Sequence, residues 1–201
     1  MGLFVNDPFE FGSWTAMLTH GHPSGYMAAG AFALLLDRLR QGTDMDAALD
    51  EVETRIPGRG PSARHNHGDQ ADPTHETLLA VRAARELAAK GSPSAEKVES
   101  LGQGWVAEEA LAIALYCALV TDDFESGVLL AVNHGGDSDS TGAIAGNLLG
   151  LMYGLEAIPT RWLDELELHD VIEQVAHDLA RHTGVRGARG RSPDYERYPP
   201  W

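Results

Sequence analysis

Residues 105–120 read WVAEEALAIALYCALV. After its first turn this run is entirely apolar and rich in Ala and Leu. That pattern predicts a central helix buried on most sides. The segments around it have helical spacing as well. Upstream, HETLLAVRAARELAAK (75–90) is a strong amphipathic helix stopped by Gly91, and residues 92–100 form a short helix or turn. Further back, YMAAGAFALLLDRL (26–39) ends at Gly42. Residues 44–56 form a weaker helix, capped by Asp44 or Thr43 and stopped by Pro57. Downstream, residues 124–133, 139–154 and 168–181 continue the pattern, and 185–201 read as an irregular tail. No clean alternation of period two appears, so the fold class is all-α with many helices of moderate length, in a single domain. The longest gap, residues 57–74, is a polar stretch of the kind that carries function or motion.

Composition narrows the function. The chain has 201 residues, 15 basic and 30 acidic, with a net charge of −15. Such a surface repels phosphate backbones and anionic lipid, which argues against nucleic acid or a membrane as partner. A small phosphorylated ligand needs a cation or a local cluster of donors to offset that field. The single cysteine, Cys117, sits inside the central helix and reads as a small buried hydrophobe. No disulfide framework is possible within one chain, in keeping with a reducing cytoplasm. The N-terminal residues lack a signal-peptide pattern, and no apolar run is long enough to span a bilayer.

The chemistry concentrates in NHGGDSDSTGAIAGNLLG, residues 133–150. Gly135 and Gly136 permit a tight turn with unusual backbone angles. Asp137, Asp139 and Ser140 follow, and a helix begins. Gly142, Gly146 and Gly150 share one face of it, which lets another backbone come close. One reading of the polar run is helix capping. Yet one cap needs one such residue, and Asp-Ser-Asp-Ser-Thr supplies five. The other reading is a hard-cation site for Mg²⁺, Mn²⁺ or Ca²⁺. An EF-hand loop starting at Asp137 fails, because Leu148 stands where a bidentate Glu is required. Two further groups need weighing. LTHGHPSGY (18–26) offers His20 and His22 as acid–base groups, ligand contacts or metal ligands, or else a helix-leading loop with Ser24 as cap. Glu108 and Glu109 open the central helix, where they stabilise its N-terminus or line a polar cavity. The cluster His65, His67, Asp69, Asp72 and His75 has no regular ligand spacing and reads as a solvated loop. The Thr-Asp-Asp string at 121–123 reads as a turn and cap.

GGDSDSTGAIAGNLLG (135–150) resembles the C-terminal signature of the ADP-ribosylglycohydrolases. The segments LTHGHPSGYMAAGAFA, HETL, LGQGWVAEEALAIALYCAL and YPPW agree in order, so the resemblance extends over nearly the whole chain. It implies an all-α bundle with a cleft holding two Mg²⁺ ions. It also implies hydrolysis of the bond between C1″ of ADP-ribose and an acceptor. Asp137, Asp139 and Ser140 match metal ligands, with the two aspartates as the catalytic pair, and Mn²⁺ is an alternative ion. Ser138 and Ser140 stand where the family usually has Thr. His20 matches a histidine that contacts the ribose or phosphate side; Gly135 and Gly136 are placed with it on the substrate side. Glu109 matches an acidic residue near the cleft. The family's N-terminal Gly-Asp-rich helix, its Thr-Asp-Asp motif and its Gly-Asn-Gly loop have no counterpart here, so the resemblance is to a truncated domain. Three functions remain open on this reading: a piece of a Mg²⁺-dependent hydrolase, a binder of ADP-ribose or metal without turnover, or a helical interaction module. The implied partners are an ADP-ribosylated protein or small ADP-ribose conjugate. A second copy of the chain or a separate N-terminal chain is expected to cover exposed apolar surface.

Overall fold

In the computed structural model of the chain, which describes residues 6–56 and 74–182, the apolar run does form the central helix. The described residues contain ten α-helices and no strand. They are α1 (Pro8–Met17), α2 (Pro23–Arg40), α3 (Met45–Arg55), α4 (Thr74–Ala88), α5 (Ala95–Glu99), α6 (Ala107–Val120), α7 (Phe124–Val132), α8 (Ser138–Tyr153), α9 (Thr160–Asp164) and α10 (His169–His182). Met1–Pro159 form one compact unit and Thr160–Trp201 a second. The second contains α9 and α10, with a Gln174–Asp178 side-chain hydrogen bond of 3.1 Å along α10.

In the first unit α6 is the axle. Every residue from Ala110 to Ala118 is buried, and the helix touches α2, α4, α5, α7 and α8. Full burial of each large apolar side chain, such as Ile113 or Leu115, contributes about 1.5–3 kcal/mol. Ion pairs lace the rim: Arg38 of α2 grips Glu51 of α3 through two bonds of 2.7 Å, and Arg85 of α4 reaches Asp50 and Glu53 at 2.7 Å. Exposed pairs contribute about 0–1 kcal/mol each, so the core around α6 dominates. Cys117 is fully buried, and burial pushes its thiol up to about 12, which leaves it protonated and inert.

Two departures from the sequence expectation matter for the site. Trp105 lies outside the helix, because Gly102 and Gly104 adopt positive φ (+123° and +80°) and turn the chain before Ala107. It is left 67 % exposed. Helix α1 was unforeseen, although Asp7 caps it by accepting from the Glu10 N–H at 3.0 Å and Pro8 stands at its start. α1 crosses α2 closely. A Cβ on Gly12 would lie 2.8 Å from the Ala33 Cβ, and one on Gly30 would collide with the Ser13 hydroxyl and reach the Phe9 carbonyl at 2.7 Å. α1 leaves Trp14 and Leu18 exposed. Among the described residues no helix is long and apolar enough to cross a membrane. The gap at 57–73 lies outside the described residues, as do the tail from 183 onward and Pro57.

The glycine face of α8 also differs from expectation. A Cβ on Gly142 would meet the Val132 side chain, one on Gly150 the Phe124 ring at 3.8 Å, and one on Gly146 nothing within 4 Å. No backbone approaches there; side chains of α7 do. Gly30→Ala is therefore expected to cost about 1–3 kcal/mol in urea unfolding through overpacking. Gly146→Ala is expected to raise stability by about 0.4–1 kcal/mol. Equal effects of the two would refute this account of the packing.

Candidate functional site

The site is built where the chain turns from α7 into α8. The backbone of residues 102–104 lies directly across this turn. The Asp137 N–H donates to the Gln103 carbonyl at 2.7 Å, and a Cβ on Gly136 would collide with that same carbonyl. A Cβ on Gly104 would sit 2.7 Å from the Thr141 methyl. Neither Gly135 nor Gly136 has positive φ. Gly136 is required by close approach, and the left-handed angles occur across the way at Gly102 and Gly104.

Two side chains fix this crossing. Glu109 Oε2 accepts from the Gln103 N–H at 2.9 Å and the Gly104 N–H at 3.1 Å. His134 Nδ1 accepts from the Gly136 N–H at 3.1 Å, which leaves Nε2 to carry the proton and donate to Thr141 Oγ1 at 3.0 Å. Thr141 is fully buried, and its hydroxyl donates to the Ala131 carbonyl at 2.7 Å. α7, the turn and α8 are thereby held as one piece.

Asp137 is the N-cap of α8, yet its side chain makes no capping hydrogen bond. The other acidic and hydroxyl caps of this unit do: Asp7, Asp44, Ser94 and Asp123 each accept a first-turn N–H. Capping therefore does not account for Asp137. Its carboxyl instead lies within hydrogen-bonding reach of Asp139. That contact, followed by the Ser140 N–H at 3.0 Å, holds the Asp139 carboxyl below the usual carboxylate range. A cation beside two neighbouring carboxylates offsets their mutual repulsion. Among the described residues no group of three or more His, Cys, Asp and Glu gathers in a metal-binding arrangement. Asp137, Asp139 and Ser140 carry oxygens of the type that hard cations take. Mg²⁺ is commonly held by one or two carboxylates and keeps several waters.

Asp137 and Ser140 open onto a cleft of about 790 Å³. Its walls are the α1–α2 loop and start of α2 (Thr19 to Gly25), Glu76 of α4, the 104–108 segment leading into α6, and Ile144 of α8. Three of the helices whose first turns line it, α2, α6 and α8, have N-cap side chains (His22, Val106, Asp137) that make no cap bond. His20 lies on the wall with Nδ1 2.8 Å from the Thr19 hydroxyl. His22 meets Ser24 at 2.9 Å and faces Glu76 at 3.8 Å. Ser24 is buried within α2 and is not its cap; Pro23 begins that helix one residue earlier. Asp139, Gly135 and Gly136 are not among the lining residues; the two glycines shape the turn behind the wall. Beside the cleft lies an apolar pocket of about 290 Å³ that shares His20, Gly25, Ala107 and Ile144 with it and adds Phe32 and Leu111.

Asp123 caps α7 by accepting from the Ser126 N–H at 2.8 Å, so the Thr-Asp-Asp string is a turn and cap. Of the 65–75 cluster, only His75 falls among the described residues. The clamping roles of His134 and Thr141 had no signal in the sequence. Glu109 had one: a carboxylate five residues after a glycine that must bend the chain. Truncating it in Glu109→Ala leaves two backbone N–H groups without their acceptor. The expected cost is about 1–3 kcal/mol in urea unfolding, and Glu109→Gln, which keeps one carbonyl acceptor, is expected to cost less. Wild-type stability in Glu109→Ala would show that the crossing does not depend on this carboxylate.

Comparison with known proteins agrees with this architecture. The family profile of ADP-ribosylglycohydrolase matches residues 1–189. The ADP-ribosyl-[dinitrogen reductase] glycohydrolase of Rhodospirillum rubrum is 29 % identical over 82 % of this chain and 46 % of its own length. The ADP-ribosylarginine hydrolase Tri1 of Serratia proteamaculans is 32 % identical over 82 % of this chain and 38 % of its own. A solved structure described as an ADP-ribosylglycohydrolase-related protein complex superposes with a TM-score of 0.64 at 31 % identity, covering 89 % of this chain and 54 % of that one. The chain spans about half the length of these relatives or less. A match over residues 1–189, together with the shared helical fold, places the chain in the ADP-ribosylglycohydrolase family.

Proposed function

We propose that the cleft binds the ADP-ribose part of a conjugate and that the chain takes part in hydrolysing the bond between C1″ and the acceptor. The observation that carries this reading is Asp137, a carboxylate that lines a large cleft together with Ser140 and is not engaged in capping, with Asp139 two residues on. Asp137, Asp139 and Ser140 would hold Mg²⁺, or Mn²⁺ in its place. Such an ion supplies charge stabilisation and orients water at the reacting carbon. The chain's own residues do the rest. The positive ends of the α2, α6 and α8 dipoles open on the cleft without side-chain caps and favour an anionic diphosphate. His20 stands on the wall to contact the ribose or phosphate side. Glu109 and His134 keep the turn in place so that Asp137 faces the ligand.

A second reading, an ADP-ribose binder without turnover, is favoured by one observation: among the described residues the donor set stops at two carboxylates and a hydroxyl. Titration calorimetry with Mg²⁺ and Mn²⁺, with and without ADP-ribose, tests the shared core of both readings. Saturable heat is expected from the wild type and none from the Asp137→Asn/Asp139→Asn double variant. No heat from the wild type under either condition removes the metal site. Chromatographic detection of free ADP-ribose released from a mono-ADP-ribosylated protein then separates hydrolase from binder.

A further inference from the structure

Among the described residues no Lys or Arg lines the cleft; its titratable groups are the carboxylates of Glu76, Glu108 and Asp137 and the imidazoles of His20 and His22. An ionised carboxylate only accepts hydrogen bonds, whereas an imidazole gives or takes a proton near neutral pH. The two histidines are not equivalent. His20 is bonded to the exposed Thr19 hydroxyl alone. His22 has Nδ1 2.9 Å from the hydroxyl of Ser24, which is buried in the first turn of α2. The same nitrogen lies 3.8 Å from a carboxylate oxygen of Glu76, in the first turn of α4. Thr77, fully buried beside Glu76, donates to the Ser24 carbonyl at 3.4 Å and joins the two first turns behind the pair. His22 stands at the N-cap of α2, yet its ring caps nothing. With Nδ1 engaged, Nε2 is the nitrogen left for a ligand in the cleft.

We propose that His22 is the general acid that protonates the departing acceptor, and that Glu76 is the positioning residue that holds its ring. This rests on the reading of the cleft as the site of hydrolysis. An oxygen or nitrogen leaving C1″ of a sugar departs as a strong base unless a proton reaches it in the transition state. His22 Nε2 gives that proton as the bond from C1″ to the acceptor breaks. Water adds its hydroxyl to C1″, and its remaining proton goes to Nε2, so the ring ends as it began. Glu76 supplies the counter-charge while the ring is protonated, and the Ser24 hydroxyl fixes the plane of the ring. His20 has no carboxylate partner of this kind.

A general acid matters only when the leaving group needs a proton, and that supplies the test. The full chain with Mg²⁺ is given two conjugates, a mono-ADP-ribosylated protein and 4-nitrophenyl ADP-ribose, whose nitrophenolate departs without protonation. Release of ADP-ribose and of nitrophenolate is followed. His22→Gln is expected to slow release from the protein conjugate by about a hundredfold or more and from the nitrophenyl conjugate by less than about threefold. Glu76→Gln is expected to show the same split at about tenfold on the protein conjugate. Equal slowing on both conjugates would show a merely structural role for His22 and overturn the inference, as would an unslowed His22→Gln on the protein conjugate. Both of those results leave the hydrolase reading intact. Release from neither conjugate by the wild type overturns that reading and this inference together.

Discussion

The Gln103 carbonyl occupies the space that a side chain on residue 136 would need, and in that position it accepts the Asp137 N–H at 2.7 Å. Because the two backbones touch, the start of α8 cannot move independently of the segment that leads into α6. Asp137 and Ser140 on one side, and Trp105 and Glu108 on the other, face a common cleft for this reason. The crossing also explains why four glycines, Gly102, Gly104, Gly135 and Gly136, cluster around it. Two of them bend the chain and at least one of them makes room.

A crossing of this kind gains little by itself. It replaces side-chain packing with one short hydrogen bond and two bonds to Glu109, each contributing about 0.5–1.5 kcal/mol net, or somewhat more where the carboxylate is charged. Its persistence depends on what lies behind it. α6 follows immediately and is buried from Ala110 to Ala118, while α8 is anchored by Ala145, Leu148 and Leu149, all fully buried. Two well-packed helices therefore fix the positions of a turn that is polar, acidic and weakly packed. Polar groups of a site are placed to within fractions of an ångström most readily when the elements that carry them are rigid.

How legible this was in the sequence depended on the kind of signal. Helices announced by apolar spacing and a clear stop were readable to within about three residues: α3 with Asp44, α4 before Gly91, α6 in its apolar body, and α8 before Gly154. α1 was not, because Phe9, Gly12 and Ser13 gave no amphipathic rhythm; it is held by a local cap and by close contact with α2. Trp105 was assigned to the wrong side of a helix boundary, since apolar pattern cannot show a left-handed glycine at 104. The run around Asp137 stood out as chemistry because it held more polar oxygens than a cap requires. Which partner each oxygen takes is a matter of tertiary crossing, so the roles of His134 and Thr141 emerged only with the fold.

The distribution of caps carries the remaining step. In the first unit, α1, α3, α5 and α7 each begin with a side-chain acceptor on a first-turn N–H. α2, α6 and α8 begin without one, and all three begin at the cleft. A missing cap costs about 0.5–2 kcal/mol, so three at one place represent a concentrated cost that a bound anion can offset. Yet the cleft wall also carries Glu76, Glu108 and Asp137, on a chain of net charge −15. Opposite demands are met within one cavity when an anionic group lies toward the helix ends and a positive charge lies toward the carboxylates.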